Sequence, residues 1–322
     1  QSFFEPSDKS QTRDDLPAGL AVAAQGGDVD TVRRWLAAGG SPDASGVHAP
    51  GLTASLLEYA CASARPTNAD VVGLLCAAGV NVEGPRGDGE PIYLASRYGA
   101  EATVRHLLRA GVNIGDEGRR GMTPLHNAVT VNCWSLCKDR WSIARAKTAT
   151  SVGHPGLVRM LLARGAEVDA RVSEIETTPF HLSAMMSGFV SLALVKELLK
   201  YGASLDTVCS SRRNSEEIAR ASLSKPIYTG DGIPEAPQLT RRPGAVEAFL
   251  ALLADVRAAG SFKRYANAPR LDVVVLQALC AKGRAAPPPA LEHLFPTSTK
   301  SVHLPKEIFW RILSFWRTDR DP

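Results

Sequence analysis

Two short segments that carry their own punctuation constrain this chain more than anything else in it. The first is Gly121-Met122-Thr123-Pro124-Leu125-His126-Asn127-Ala128-Val129. The second runs from Gly153 through Pro155, Leu157, Val158, Leu161 and Leu162 to Gly165, and on to Ala170. Pro124 suits the first turn of a helix, because its fixed φ matches and its missing N–H would have no partner there anyway. The Thr123 hydroxyl stands where it can cap that helix and can also hydrogen-bond the imidazole of His126. Leu157, Val158, Leu161 and Leu162 fall on one side of a second helix. Gly165 can take the left-handed conformation that ends it, and Ala166 to Ala170 then run extended into a turn. The predicted unit is helix, turn, helix, hairpin.

One such unit buries little, so the fold depends on copies. The helix-ending glycine and its flanks recur at Gly39, Gly79, Gly111, Gly165 and Gly202, with a weaker copy at Gly260. The first halves recur as well. Glu90-Pro91-Ile92-Tyr93-Leu94-Ala95 and Thr178-Pro179-Phe180-His181-Leu182-Ser183 are close copies, and Ser55 to Cys61 and Ala18 to Ala24 are degenerate ones. The unit resembles the ankyrin repeat, whose threonine-proline-leucine-histidine signature stands at Thr123 to His126. The step from Gly79 to Gly111 fits the family period of about 33 residues directly, and the other steps fit it with insertions. The resemblance implies an all-α solenoid of helix-turn-helix repeats with β-hairpin fingers. On this reading residues 1–15 are a tail. Residues 16–260 hold five repeats and a divergent sixth, with an insertion at 132–152 and a loop at 222–244. Residues 261–322 form a small C-terminal helical module.

Composition agrees. The chain has 322 residues, 44% hydrophobic and 22% charged, enough to bury a sizeable core. Aromatics are only 6%, as expected where thin helices stack rather than surround one globular centre. Formal net charge is +4 with no long run of one sign, so nothing demands nucleic acid. No apolar run reaches the roughly 20 residues of a membrane span. The six cysteines lack the dense spacing of a disulfide framework, which argues for a reducing intracellular compartment, cytoplasm or nucleus. The chain opens on Gln1, so a trimmed beginning is expected, and an organelle reached through a removed targeting peptide stays open.

Several positions stand out against the repeat pattern. Val29, Val32, Trp35 and Leu36 are expected on the inward stripe of the first repeat, with Trp35 in place of a usual leucine. Tyr93 occupies the histidine position of repeat three. Tyr98 lies where that helix ends, and exposed aromatics are favoured interface anchors. Arg86-Gly87-Asp88 reads as a hairpin turn. Within the insertion, Trp134, Cys137 and Trp141 fall on one helical face, with Lys138, Arg140, Arg145 and Lys147 making the segment basic. The two tryptophans either fold back onto the solenoid edge or bind something. The candidate protein contacts are Arg86, Asp88, Tyr98, Glu117, Arg119, Arg120, Trp134, Trp141 and Glu174.

Beyond residue 261 the pattern changes. A helix is expected over Leu271 to Lys282 with Val274, Val275, Ala278 and Leu279 in a stripe, followed by a rigid Pro287-Pro288-Pro289 break. Pro305 then starts a helix whose Ile308, Ile312, Phe315 and Trp316 make an apolar face. Leu304-Pro305-Lys306-Glu307 leading to Ile312-Leu313-Ser314 resembles the first helix of an F-box. Together with Leu276 and Cys280 it also resembles the two-part SOCS box that follows ankyrin repeats in some ubiquitin-ligase receptors. The SOCS-box resemblance implies Leu276 and Cys280 facing an elongin-type adaptor and Leu304, Pro305, Ile308 and Ile312 facing a cullin, and the ligase reading as a whole implies an Skp-type or elongin-type adaptor as partner. The alternative is a helix packed on the last repeat or on a neighbouring subunit.

No phosphate-binding Gly-x-x-x-x-Gly-Lys, His-Glu-x-x-His, Gly-x-Ser-x-Gly or paired Cys-x-x-Cys is present. Of the seven histidines, His126 and His181 belong to the repeat signature, and none of the others has a nucleophile or acid partner in sequence. No catalytic residue, cofactor or metal is therefore expected. The expected function is a protein-interaction scaffold, with a substrate receptor of a cullin-type ubiquitin ligase as the alternative, recruiting its adaptor through residues 271–316.

Overall fold

Capped first helices and glycine-ended second helices alternate along the chain. The computed structural model describes residues 15–49, 52–84, 90–118, 121–130, 153–172, 175–188, 190–224 and 244–282. Five helix pairs come first: α1 (Ala18–Gly26) with α2 (Val29–Ala37), α3 (Leu56–Cys61) with α4 (Pro66–Ala77), α5 (Glu90–Arg97) with α6 (Glu101–Arg109), α7 (Pro124–Val129) with α8 (Pro155–Ala163), and α9 (Pro179–Met185) with α10 (Leu192–Lys200). Then follow α11 (Ser215–Ser224), α12 (Ala245–Ala259) and α13 (Phe262–Ala281). Strands β1 (Ser45–Ala49) and β2 (Leu52–Ser55) pair antiparallel, Ser45 opposite Ser55 and Val47 opposite Thr53. The chain divides into two compact units, residues 1–249 and 250–322.

In the first unit the helices stack in two rows. The first helices run α1, α3, α5, α7, α9, α11, each against the next, and the second helices stack as α2, α4, α6 and as α8, α10. Packing thins between α6 and α8, on the two sides of the repeat-four junction. The core is the inner faces of these rows: Leu20, Leu57, Leu75, Ile92, Leu107, Leu157, Leu161 and Phe180 are wholly buried. Phe180 of α9 meets Phe249 of α12 with ring centroids 6.2 Å apart. Leu157, Val158, Leu161 and Leu162 are all buried, as their spacing predicts. Gly165, which follows α8, has φ 93°. That conformation is strained for a residue with a Cβ. The matching glycines after α2, α4, α6 and α10 share it.

Two buried polar groups tie neighbours together. Asn68 at the start of α4 donates to the carbonyls of Ala24 (2.8 Å), Gln25 (3.2 Å) and Ala60 (3.1 Å). It thereby satisfies the C-terminal carbonyls that a short helix leaves open. Glu197 of α10 is fully buried and accepts from Arg159 Nε of α8 at 2.6 Å.

The structure differs from expectation at three places. Of the first repeat's stripe only Val32 is fully buried, and Val29, Trp35 and Leu36 are half-buried. Trp35 lies flat against Gly40, where an added Cβ would come within 2.1 Å of the ring, and its Nε1 donates to Ser41 O at 3.3 Å. The tryptophan thus covers the start of its own finger. The 222–244 loop gives up its first residues to α11, which reaches Ser224. In the second unit α13 begins at Phe262, ahead of the expected Leu271, because the Ser261 hydroxyl caps it by accepting from Arg264 N (3.2 Å) and the helix absorbs Pro269. The buried positions of α13 are Phe262, Tyr265, Ala266 and Cys280, with the Phe262 and Tyr265 rings 5.9 Å apart. Val275 of the expected stripe is 57% exposed.

Candidate functional site

The row of fingers between the repeats is held from below by the residues at the start of each first helix. His126 Nδ1 accepts from Thr123 N (3.2 Å) and pairs with Thr123 Oγ1 (2.8 Å), while Nε2 lies 3.2 Å from the Thr177 carbonyl of the next finger. Only Nε2 can donate to a carbonyl, and a backbone N–H can only donate to Nδ1, so the neutral ring with its proton on Nε2 fits every partner. Burial pushes the His126 pKa down to about 4, against the upward pull of the Thr177 bond. His181 repeats the arrangement with Thr178 N (3.1 Å) and Thr207 O (2.9 Å), and burial lowers its pKa too. Where the histidine is absent, other side chains close the same ring of bonds. Glu58 accepts from Ser55 N at 2.6 Å while its own N–H donates to Ser55 Oγ at 3.1 Å. Asn214 and Glu217 do likewise at 2.9 and 3.0 Å. Tyr93 instead packs with Met122 and Val172 of the two following fingers.

A second set of bonds links finger to finger. Asp43 Oδ1 accepts from Asn81 N at 2.7 Å, Glu83 Oε1 from Asn113 N at 2.9 Å, and both Asp169 oxygens from Ser204 N at 3.2 Å. In each case the acid four residues past the helix-ending glycine bonds the N–H two residues past the next such glycine. These are charge-assisted bonds, stronger than neutral ones. Burial raises the Glu83 pKa and Asp116 adds to the rise, with the Asn113 N–H opposing it.

The finger tips turn on residues in the left-handed region. Gly118 N donates to Met122 O (3.0 Å) and Gly121 N to Gly118 O (2.8 Å). Cys209 N donates to Arg213 O (3.1 Å) and Arg212 N to Cys209 O (2.8 Å). The intervening finger, closed by Val172 N to Thr177 O (3.0 Å) and Glu176 N to Val172 O (2.7 Å), is one residue longer. The matching turn residues are Gly121 at φ 65°, Glu176 at φ 48° and Arg212 at φ 56°. Beside them Ile175 is 42% and Val208 44% exposed.

Between the third and fourth fingers lies a cleft of about 230 Å³, lined by Ile114, Gly115, Glu117, Thr123, Ala166, Glu167, Ala170 and Arg171. Glu117 is exposed on its wall. Arg171 reaches Glu176 at 3.6 Å, both largely exposed. Of the sequence candidates among the described residues, only Glu117 lines this cleft. Tyr98 is half-buried just after α5, at the end of the helix away from the fingers, a helix of eight residues being about 12 Å long. Leu276 is half-buried on α13 and Cys280 is 4% exposed. Arg86, Asp88, Arg119, Arg120, Trp134, Trp141, Glu174, Leu304, Pro305, Ile308, Ile312, Phe315 and Trp316 lie outside the described residues. Sequence reasoning missed Gly115, Thr123, Glu167 and Arg171 as cleft residues. The signal was available, since the fourth residue past the glycine is acidic at Asp43, Glu83, Asp169 and Asp206 but glycine at Gly115.

A match to the family model for the ankyrin repeat covers residues 120–172, the stretch with the Thr123–His126 ring and the fourth finger. The fold is an all-α ankyrin-repeat solenoid. The human ASB11 ankyrin repeat domain superposes with a TM-score of 0.50 at 21% identity, covering 74% of this chain and 88% of that one. Among curated proteins the chain is similar to human Neurogenic locus notch homolog protein 4, 33% identical over 102 residues, which is 31% of this chain and 4% of that protein. It is also similar to a Transient receptor potential cation channel subfamily A member 1 homolog of Caenorhabditis elegans, 33% identical over 109 residues, 32% of this chain and 9% of that protein. The chain thus spans less than a tenth of the length of these curated relatives. Among the described residues no cluster of three or more His, Cys, Asp or Glu is placed to hold a metal, and no helix is long and apolar enough to cross a membrane. The described cysteines, Cys61, Cys76, Cys209 and Cys280, are free.

Proposed function

We propose that this chain is a non-catalytic scaffold that holds a protein partner along its finger row. The observation that carries this reading is the fingers' double anchorage. His126 and His181 bond fingers to first-helix starts, and at three junctions a carboxylate ties one finger to the next, so most of the row is preorganised, and binding then costs little in loop ordering. The exposed Ile175 and Val208 tips and the cleft beside Glu117 give that row apolar and charged contacts. A specific interface needs about 800 Å² per partner, an area that several adjacent fingers provide together. The test is affinity capture from native extract with the intact chain and with an Ile175→Asp/Val208→Asp double variant of unchanged circular dichroism. Loss of a stoichiometric partner in the variant is expected. A partner held equally by both would remove the finger tips from the reading, and no partner for either would remove the reading itself.

A second reading, a substrate receptor of a cullin-type ubiquitin ligase, draws support from the sequence of residues 304–316 and from Leu276 and Cys280, which sit one turn apart on α13. The burial of Cys280 inside its own unit weighs against it, because adaptor contact would require that residue to be drawn out. Co-purification of an elongin-type or Skp-type adaptor, lost on Leu304→Asp or Ile308→Asp, would establish this role, and failure of the intact chain to bind either adaptor would end it.

A further inference from the structure

The finger ladder has one missing rung. At three junctions an acid accepts from the backbone N–H of the following finger: Asp43 to Asn81, Glu83 to Asn113, and Asp169 to Ser204. At the junction between the third and fourth fingers the position belongs to Gly115, opposite Glu167, and that is where the cleft opens. We propose that this cleft receives the side-chain carboxylate of an Asp or Glu from the protein partner, which bonds the Glu167 N–H and completes the ladder in trans. The proposal rests on the scaffold reading above and names the chemistry of one contact within it.

Four observations support it. Among the described residues nothing accepts from the Glu167 N–H, so the donor that the other junctions use is available here. Asp116, next to Gly115 in the chain, accepts from the Asn113 side-chain amide instead. There is room, because a Cβ placed on Gly115 meets only Asn113 Oδ1, at 3.7 Å. The charge is suitable, because Arg171 lines the cleft and its link to Glu176, at 3.6 Å between exposed groups, is weak. Glu117 and Glu167 oppose an incoming anion. Both are exposed, where solvent and salt screen them, whereas the N–H acts at contact.

The test uses amide NMR on the full chain with two capped tripeptides as probes, acetyl-Gly-Asp-Gly-amide and its Asn counterpart. The Asp peptide is expected to move the Glu167 amide resonance downfield in a saturable way, and the Asn peptide to bind about fivefold more weakly, since a charged acceptor bonds about twice as strongly as a neutral one. Gly115→Asp supplies the rung in cis. It is expected to raise the thermal midpoint by about 2–4 °C, to show the downfield Glu167 amide without peptide, and to lose the response to the Asp peptide. Equal responses to both peptides would overturn the proposal, as would an undiminished response in Gly115→Asp. So would a Glu167 amide already protected from hydrogen exchange in the free protein, which would mean that a segment of this chain fills the place. Affinity capture separates the two levels of the argument. A partner held equally by wild type and by folded Gly115→Asp refutes the cleft contact while leaving the scaffold standing, and absence of any partner refutes the scaffold.

Discussion

Replacing His126 by glutamine should change not only the stability of the solenoid but its dependence on pH. His126 is wholly buried, accepts from the Thr123 N–H through Nδ1 and faces the Thr177 carbonyl through Nε2. A glutamine can accept from one of these groups but is too narrow to serve both, so at neutral pH the variant loses about 1–3 kcal/mol through a buried carbonyl left without its donor. The pH term is separate. Burial holds the folded pKa at about 4 against 6.5 in the unfolded chain. Protonating Nδ1 would also set two donors against each other at Thr123. Because the folded value is the lower one, the unfolded chain binds more protons between the two. Stability is therefore complete above pH 6.5 and falls as the pH drops towards about 4, by about 3 kcal/mol in all. Urea unfolding of wild type and His126→Gln at about pH 7.5 and about pH 4.5 measures this directly, the difference between the two curves cancelling His181 and the carboxylates. The wild type's advantage should fall by most of that amount on acidification, closing or changing sign according to its size at neutral pH. Parallel pH profiles would refute the argument, because they would mean that His126 titrates alike in the folded and unfolded chains.

Other substitutions test other links. Glu176→Gly and Arg212→Gly, each removing a side chain from a left-handed position, should stabilise by about 0.5–1 kcal/mol in the same unfolding assay, a sign opposite to that of glycine placed in a helix. Asn68→Ala should cost about 2–4 kcal/mol, since two buried carbonyls and a part-buried one share its amide. Leu161→Ala in the wholly buried stripe of α8 should cost about 2–5 kcal/mol; a smaller loss would mean that the stack closes over the cavity.

The repeat architecture was legible because its signals are local. Thr123, Pro124 and His126 lie within one turn, and a helix-ending glycine announces itself by its flanks. The Thr123–His126 bond and the left-handed Gly165 follow from residue chemistry alone. What involved neighbouring repeats was harder to read. Tyr93 at the histidine position was seen, but its packing on Met122 and Val172 depends on fingers about 30 and 80 residues away in the chain. The first repeat's stripe looked fully inward because periodicity identifies a face and not how much of that face is covered. Pro269 concealed the start of α13, since proline is the strongest breaker in sequence and a helix interior absorbs it only when the packing compensates. The cleft escaped because its determinant is a side chain that is not there, and Gly115 is ordinary until set beside Asp43, Glu83 and Asp169.

The missing rung also bears on how the solenoid comes apart. In a stacked array the free energy is a sum of terms within each repeat and terms between neighbours. Between the third and fourth repeats no carboxylate among the described residues bonds the Glu167 N–H, and the packing of α6 on α8 thins. That boundary is the weak coupling in the array, so the repeats on its two sides should open as separate cooperative blocks. Their amides should fall into two classes of hydrogen-exchange protection that meet at Gly115, and a partner seated across the cleft would merge the two classes into one.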